Sequence, residues 1–271
     1  FQKKHLDFHY RSRHPFLIDF SNYAFYNQRL KPLPNNFDYV PIKYIQVNGT
    51  FSDHTNEAEA EMVLSIIEKN INRLPNGEYP TVGVATFNIA QRNLIKSKIL
   101  ERQKFPKYVE FNAKIQELEE NGMFIKNLEN IQGDERDVIF ISTTFGKDKD
   151  TGKVYQRFGP INSDMGWRRL NVLLTRAKQK MEVFTSLRSS DIIVSENSSR
   201  GVKSLKAFLN YIETGLLKKS YEENEEQSTK NSFENSIIKI LNKYGYQAVS
   251  NLGVSGVFID LAVKSTKNPN D

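Results

Sequence analysis

Four short segments of the chain combine arginines, polar side chains and glycine in patterns that suit phosphate chemistry. The first, residues 9–15, places Arg11 and Arg13 directly before Pro15, a residue that can open a helix. Guanidinium groups bind phosphate oxygens through paired hydrogen bonds, and a helix N-terminus adds positive potential. This segment predicts a phosphate contact. The alternative is that both arginines form ordinary surface ion pairs.

The second segment, residues 83–92, runs from an apolar strand into a helix. Ligands of open α/β sheets gather at the carboxyl ends of strands, where Thr86, Asn88 and Arg92 stand in this sequence. Their side chains suit a phosphate group. The alternative is that Asn88 caps the helix while its neighbours are solvated.

The third segment, residues 127–137, is a polar stretch between two predicted strands. Gln132 and Glu135 supply hydrogen-bond acceptors of the kind that bind ribose hydroxyls, and Gly133 permits a tight backbone turn. Because burying so many polar groups is costly, this pattern favours a binding loop. The alternative is a charged β-turn.

The fourth segment, residues 167–178, has the pattern of a helix. Arg169 and Arg176 are seven residues apart, so they are expected on one helix face with Val172 and Leu173 between them. A core-facing helix rarely carries arginines on its buried side without an anion to bind. We therefore expect Arg176 to act on a γ-phosphate in the transition state.

The elements that must position these segments alternate between apolar strands and amphipathic helices. This alternation is typical of a parallel sheet covered by helices on both faces, and we predict such a doubly wound α/β domain over residues 1–217. The predicted strands are residues 42–47, 81–87, 124–128, 138–145 and 181–186, and the predicted helices are residues 14–26, 57–74, 88–102, 167–178 and 202–211.

The C-terminal part of the chain breaks this pattern. Residues 218–231 are rich in Glu, Lys, Ser, Asn and Gln with almost nothing to bury, which predicts an exposed linker. Residues 232–271 then predict one helix, residues 233–244, and two strands. Since about forty residues rarely fold alone, we expect the truncated start of a second α/β domain.

Composition excludes several classes of function. The 271 residues are 38% hydrophobic and 26% charged, as in a folded protein, and no apolar run is long enough to span a membrane. The absence of cysteine excludes disulfides, thiolate metal sites and cysteine nucleophiles. A net charge of +6 favours polyanionic partners slightly. Because the chain does not begin with Met, we expect it to be part of a longer protein.

Taken in order, the four segments resemble motifs IV to VI of superfamily 1 helicases, in the branch whose motif IV reads Tyr-Arg-x-x-His-Pro. The resemblance covers residues 1 to about 215 and implies the second RecA-like domain of such an enzyme. Each motif is weak alone, but four in this order are highly specific. Residues 129–137 and 158–162 are similar to a bacterial subgroup in which a nuclease-like domain often follows the helicase.

The resemblance implies functional residues at matching positions. It places single-stranded nucleic acid, with DNA favoured, against Tyr10, Thr86 and Asn127. Many relatives carry Thr or Ser, then Asp, where this chain has Asn127 and Glu129. Arg176 is the implied catalytic residue. The implied ATP-binding residues are Arg11, Gln132, Gly133, Glu135, Arg169 and Arg176.

The other half of an ATP site is missing from the sequence. The chain contains neither a Gly-x-x-x-x-Gly-Lys-Ser/Thr loop nor the Asp-Glu pair that holds Mg²⁺. In the resembled family both belong to a first RecA-like domain, which we expect before Phe1. ATP with Mg²⁺ is then the cofactor of the full-length enzyme, in the bacterial cytoplasm, and this fragment alone is expected to be inactive.

The tail resembles the very-short-patch-repair type of restriction-endonuclease-like domain. That resemblance implies Glu234, on a helix, and Asp260, on a strand, as the beginning of an incomplete Mg²⁺ site that activates water. The alternative is that Asp260 ends a strand and caps a turn. A second function therefore stays open for the chain: a nucleic-acid-binding or nuclease module whose degenerate RecA-like domain does not use ATP.

Overall fold

Short strands and helices alternate along the computed structural model, which describes residues 8–9, 11–32, 39–215, 237–246, 248–254 and 257–263. The strands are β1 (Phe8–His9), β2 (Lys31–Pro32), β3 (Ile42–Gln46), β4 (Thr50–Phe51), β5 (Val82–Thr86), β6 (Phe124–Asn127), β7 (Arg136–Ser142), β8 (Lys147–Asp148), β9 (Ala177–Thr185), β10 (Ala248–Val254) and β11 (Val257–Val263). The α-helices are α1 (Phe16–Phe25), α2 (Glu57–Asn70), α3 (Ile89–Arg102), α4 (Val109–Glu120), α5 (Gly166–Leu174) and α6 (Arg200–Thr214).

Five of these strands form a parallel sheet in the order β3-β9-β7-β5-β6. Successive residues of its central strands are apolar on both faces: Val138 and Phe140 contribute to one core cluster, and Ile139 and Ile141 to the other. A strand that buries both faces needs a helical layer on each side. The predicted α/β fold with a parallel sheet flanked by helices is confirmed.

Each face of the sheet has its own helical layer. The buried side chains of α2, α3 and α4 pack on one face, including Leu64, Ile95 and Ile115. The buried side chains of α1, α5 and α6 pack on the other, including Phe20 and Leu170. The two layers hold the strand ends rigidly at both edges of the sheet.

A glycine is required where the strands pack most tightly. A Cβ atom on Gly83 of β5 would lie 2.4 Å from the ring of Phe124 and 2.8 Å from Ile139. Both neighbours are buried in the core and cannot move away. A larger residue at position 83 would therefore push β6 away from β5.

Two predicted features differ from the structure. Helix α4 was not expected, although Phe111, Ile115 and Leu118 recur at helical spacing and are buried. The helix predicted over residues 167–178 ends at Leu174, because Ala177 already pairs with Arg136 as the first residue of β9. Strand pairing therefore overrides the helical pattern at the end of this segment.

The chain divides into two units, Phe1–Leu217 and Lys218–Asp271. In the second, residues 237–243 are helical, and β10 pairs antiparallel with β11 so that Ala248 lies opposite Val263. Asp260 stands in the middle of β11 rather than at its end. The predicted linker and Glu234 lie outside the described residues, and the assignment of residues 232–271 to a nuclease-like domain stays a prediction.

The described residues contain neither a membrane-spanning helix nor a group of metal-binding side chains. No helix there is long and apolar enough to cross a membrane. Within the same residues, no three His, Asp or Glu side chains are grouped as a metal site would require.

Candidate functional site

The amino ends of β7 and β9 bring together residues from three distant segments. Glu135 directly precedes β7, and Arg176 directly precedes β9, whose first residue pairs with Arg136. Residues 11–13 reach the same edge, since the Ser12 hydroxyl donates to the Ala177 carbonyl at 3.3 Å. The structure therefore gathers Arg11, Glu135 and Arg176 at one edge of the sheet. We call these three residues, with His9 and Lys178, the amino-edge cluster.

Glu135 is the acidic centre of the amino-edge cluster. Arg11 Nε donates to Glu135 Oε2 at 2.6 Å, and Lys178 Nζ lies 3.3 Å from Glu135 Oε1. The hydrogen bond from Arg11 lowers the pKa of Glu135, with a further contribution from Lys178. Glu135 is therefore ionised, and it holds Arg11 in a fixed position.

Arg176 is anchored by the backbone around it. Its side chain donates from Nε to the Val172 carbonyl at 2.7 Å, from Nη2 to Thr175 Oγ1 at 3.0 Å and from Nη1 to the Asp134 carbonyl at 3.4 Å. The residue is 9% exposed. Burial and the nearby charge of Arg11 lower the pKa of Arg176. This guanidinium is thus preorganised and only partly compensated by negative charge.

His9 belongs to the same cluster, although its sequence gave no direct signal beyond lying two residues before Arg11. Its Nε2 accepts from the Ser12 backbone N–H at 3.1 Å. Burial, then the charges of Arg11 and Arg176, lower the pKa of His9 to about 4. The imidazole is therefore neutral at pH 7 and adds no third positive charge beside the two arginines. Lys178 was also not predicted as part of this site.

The donor set of the amino-edge cluster suits a polyanionic ligand. Arg11 and Lys178 are ion-paired with Glu135, and Arg176 lies close enough to feel the charges of Arg11, Glu135 and Asp134. An anion brought against them would relieve the mutual repulsion that lowers the pKa of Arg176. The residues present therefore fit a phosphate-bearing group such as ATP.

The predicted helix face shared by Arg169 and Arg176 is wrong. Arg169 lies on α5, where its Nη1 donates to Ser163 Oγ at 3.0 Å and its Nη2 lies 3.7 Å from Glu129 Oε1. Arg176 follows the helix end, because residues from Ala177 onward are drawn into the sheet. Among the described residues, Arg176 is therefore part of the amino-edge cluster and Arg169 is not.

The loop of residues 128–135 links the two edges of the sheet. It leaves β6 at the carboxyl edge and enters β7 at the amino edge, without a helix between them. Leu128 and Ile131 are buried and anchor it, while Gln132 is exposed and Gly133 has φ +88°. Gly133 supplies the left-handed backbone that was predicted for a tight turn. The loop is therefore held by apolar anchors, and its polar groups largely face solvent.

The residues predicted for a nucleic-acid strand lie at the carboxyl edge. Thr86 and Asn127 are paired neighbours at the ends of β5 and β6, and both are buried. Thr86 Oγ1 donates to the Asn88 carbonyl at 2.7 Å. Asn88 caps α3, accepting from the Gln91 N–H at 2.8 Å. Tyr10 lies outside the described residues, so contact of these residues with a strand stays a prediction.

Asn127 has an incomplete set of hydrogen bonds. Its Oδ1 accepts from Asn130 Nδ2 at 2.9 Å and from Arg92 Nη1 at 3.4 Å. Its Nδ2 is buried and has no hydrogen-bond partner among the described residues. A buried amide donor without a partner is costly, and such groups concentrate at binding sites.

A second polar cluster at the carboxyl edge was not predicted. Its centre is Glu59 of α2, which is fully buried. Glu59 Oε2 accepts from Ser142 Oγ and the Thr144 N–H, both at 2.7 Å, and Oε1 accepts from the Ser186 N–H at 2.8 Å. Asn56 caps α2 and donates to Ser186 Oγ at 2.8 Å. Asn followed by Glu three residues later resembles a capping pattern, which was the available sequence signal.

Burial raises the pKa of Glu59 to about 7, although the hydrogen bonds from Ser142, Thr144 and Ser186 oppose this. Thr144, whose N–H Glu59 accepts, has φ +72°, a conformation rarely adopted by a β-branched residue. Glu59 therefore fixes the ends of β7 and β9 in a strained conformation. We call Glu59, Asn56, Ser142, Thr144 and Ser186 the Glu59 network.

A known protein family matches most of this architecture. The family described as an AAA domain matches residues 35–188, more than half of the 271 residues. The chain belongs to this AAA-domain family. The matched range of the AAA domain contains the whole five-stranded sheet and both Glu135 and Arg176.

Two relatives of this AAA domain carry helicase names. An uncharacterized ATP-dependent helicase, MG140, of Mycoplasma genitalium is 35% identical over 211 residues. Its homologue in Mycoplasma pneumoniae is 36% identical over 214 residues. Each alignment covers 77% of this chain and 18% of the relative. The chain thus spans less than a fifth of these relatives' length, and the matches support a helicase-like domain.

One solved structure is also similar over part of the chain. It is the C-terminal domain of a possible DNA helicase from Lactobacillus plantarum WCFS1, with 15% sequence identity and a TM-score of 0.34. The match covers 65% of this chain and 86% of that structure.

Proposed function

We propose that this AAA domain is the second RecA-like domain of an ATP-dependent superfamily 1 helicase. The observation that carries the proposal is the convergence of Arg11, Glu135 and Arg176. These residues lie in three separate segments, and residues 11 and 135 are joined by a 2.6 Å ion pair across 124 positions of sequence. A domain that no longer used nucleotide would have no reason to assemble them, which argues against a degenerate module.

Each residue of the amino-edge cluster has a proposed role. Arg176, held by three hydrogen bonds, stabilises charge on a γ-phosphate, and Arg11 contacts phosphate oxygens. Glu135 orients Arg11 and accepts from ribose hydroxyls, while Gln132 and Gly133 shape the loop beside it. ATP with Mg²⁺ supplies the phosphoanhydride bond that is hydrolysed. Arg169 is proposed to stand at the margin of this site.

The phosphate loop is proposed to come from a first RecA-like domain in the same protein. Because the chain has no such loop, we expect the isolated fragment not to hydrolyse ATP. The site would form only when the two domains close on one nucleotide. The printed names of both Mycoplasma relatives, ATP-dependent helicase, are consistent with this arrangement.

Single-stranded nucleic acid, with DNA favoured, is the proposed second ligand. Its path would run over the carboxyl edge near Tyr10, Thr86 and Asn127, without sequence reading. The unpaired Asn127 amide supports this placement, and the 128–135 loop would connect the path to the amino-edge cluster. We also propose a cytoplasmic location and a nuclease-like C-terminal unit with Glu234 and Asp260 at its metal site.

The test of this function uses the full-length protein. Arg176→Ala should lower ATP hydrolysis by about 10³-fold or more, the effect of losing a transition-state arginine, while single-strand binding persists. Arg168→Ala, on the exposed side of the preceding helix α5, is the matched control and should retain activity. Hydrolysis that survives Arg176→Ala would refute the role of Arg176. A full-length protein that binds strands but never hydrolyses ATP would favour the degenerate module.

A further inference from the structure

A groove of about 610 Å³ runs along the side of the domain, between α3 and the edge strand β6. None of its lining residues belongs to the amino-edge cluster, although Lys126 is ion-paired at 2.6 Å with Asp134, whose carbonyl accepts from Arg176. Its volume is in the range of ligand-binding clefts, about 300 to 1,000 Å³.

The cationic side chains of this α3–β6 groove gather toward one end. Arg92 lies in the first turn of α3, Lys96 lies at the middle of that helix, and Lys126, which is ion-paired with Asp134, lies in the carboxyl half of β6. Glu119, at the end of α4, lines the groove at the other end, near Met123. The charge is therefore graded, with its positive end at the carboxyl edge of the sheet.

The floor of the α3–β6 groove is apolar. Ile99, Phe124 and Ile125 line it, together with Leu100, which is 60% exposed. An apolar floor offers no hydrogen-bonding pattern with which to read bases, whereas it can cover their faces.

The positive end of the groove adjoins Asn127. Both Arg92 and Asn130 line the groove, and both donate hydrogen bonds to Asn127 Oδ1. The buried Nδ2 of that same amide has no hydrogen-bond partner in the part of the chain that the structure describes. The groove is thus continuous with the carboxyl-edge position where the strand path was proposed.

We propose that the α3–β6 groove binds single-stranded nucleic acid beyond the carboxyl edge, with phosphates against Arg92, Lys96 and Lys126 and bases over the apolar floor. This inference rests on the strand path of the proposed function and extends it to a second surface. An acidic peptide would fit the rim charges, but continuity with Asn127 favours a nucleic-acid strand.

The test measures binding of labelled oligodeoxythymidines to the 271-residue chain by fluorescence anisotropy. An oligonucleotide of about 6 nucleotides covers only the strand path over the carboxyl edge, which we call the short path. One of about 20 nucleotides also reaches the α3–β6 groove. Lys96→Glu should weaken binding of the longer strand roughly fivefold and lower its salt dependence by about 0.7 in log–log slope. It should leave the shorter strand unaffected.

Two further variants sharpen the test. Glu119→Lys removes the negative charge at the far end of the groove and should strengthen binding of the longer strand. Lys149→Glu, the same charge change at an exposed turn after β8, is the matched control and should alter neither strand.

Several outcomes would overturn the groove. Equal affinity of Lys96→Glu and the parent for the longer strand excludes it while leaving the short path standing. If Lys96→Glu weakens the binding of both oligonucleotides equally, Lys96 belongs to the short path instead. If Lys96→Glu loses binding to a labelled decaglutamate peptide while its affinity for the longer strand is unchanged, the groove binds acidic peptides rather than nucleic acid. No binding of either strand by the parent chain rejects the strand path as well, whereas the Arg176→Ala test judges the ATP site independently.

Discussion

Each of the two edges of the sheet holds a carboxylate, but the two carboxylates have different kinds of hydrogen-bonding partners. At the amino edge Glu135 is met by formal cations, Arg11 at 2.6 Å and Lys178 at 3.3 Å. At the carboxyl edge Glu59 is met by neutral donors, chiefly the N–H groups of Thr144 and Ser186. The same fold therefore surrounds one carboxylate with cations and the other with neutral donors.

This difference follows from burial. Glu135 is half-exposed, so water screens its ion pairs and its pKa falls below the ordinary value. Glu59 is fully enclosed, and desolvation raises its pKa to about 7 despite several hydrogen bonds. Ion pairs near solvent leave charge available for a ligand, whereas a buried network contributes rigidity. The Glu59 network thus gives structural support, whereas the amino-edge cluster keeps exposed charges that suit the proposed nucleotide binding.

The largest expected difference between the edges is in stability. Glu59→Ala should lower the free energy of unfolding by about 4 kcal/mol, because three buried donors lose their acceptor. Glu135→Ala should cost no more than about 1 kcal/mol, as for a solvent-screened ion pair. Urea unfolding followed by the fluorescence of Trp167, the single tryptophan, measures both. Equal losses in the two variants would contradict the comparison.

The pH dependence of stability should show a smaller effect from the same network. Folded Glu59 keeps its proton up to about pH 7, whereas the unfolded chain releases it near its ordinary pKa of 4.5. The folded state binds more protons in this interval, so stability falls as pH rises from about 4.5 to 7. The total loss is about 3 kcal/mol.

Glu59→Gln removes the titrating group and serves as the reference for that measurement. The difference in unfolding free energy between parent and variant, followed from pH 4.5 to 7.5, isolates the contribution of Glu59. If the unfolding free energy changes with pH identically in the parent and in Glu59→Gln, Glu59 has the same pKa in the folded and unfolded states.

The pH effect expected from His9, at the amino edge, is of similar size and has the opposite sign. His9 has a pKa of about 4 in the folded chain and 6.5 as its ordinary value. Its contribution to stability is present above pH 6.5 and is lost as pH falls toward 4, since the unfolded state then binds more protons.

An NMR titration of the imidazole measures this pKa directly. Arg11→Ala and Arg176→Ala should each raise it, because each removes a nearby positive charge. Arg168→Ala is the control and should leave it unchanged. A pKa near 6.5 for His9 in the parent chain would show that burial and the two arginines do not perturb the imidazole.

The sequence was a good guide to elements and a partial guide to the site. Apolar runs such as the one ending at Thr86 predicted the buried strands, because a strand covered on both faces must be apolar throughout. The segments containing Arg11, Glu135 and Arg176 were also found. His9, Lys178 and Glu59 were not, since their importance comes from neighbours far away in sequence.

The sequence by itself determined the parallel α/β fold, the order of the four segments and the absence of a phosphate loop. Tertiary structure decided that Arg176 leaves its helix, because pairing of β9 with β7 takes precedence over a local helical pattern. It also decided that the 128–135 loop spans both edges, and that burial raises the pKa of Glu59. Local periodicity is encoded residue by residue, whereas convergence and desolvation exist only once the whole sheet has closed.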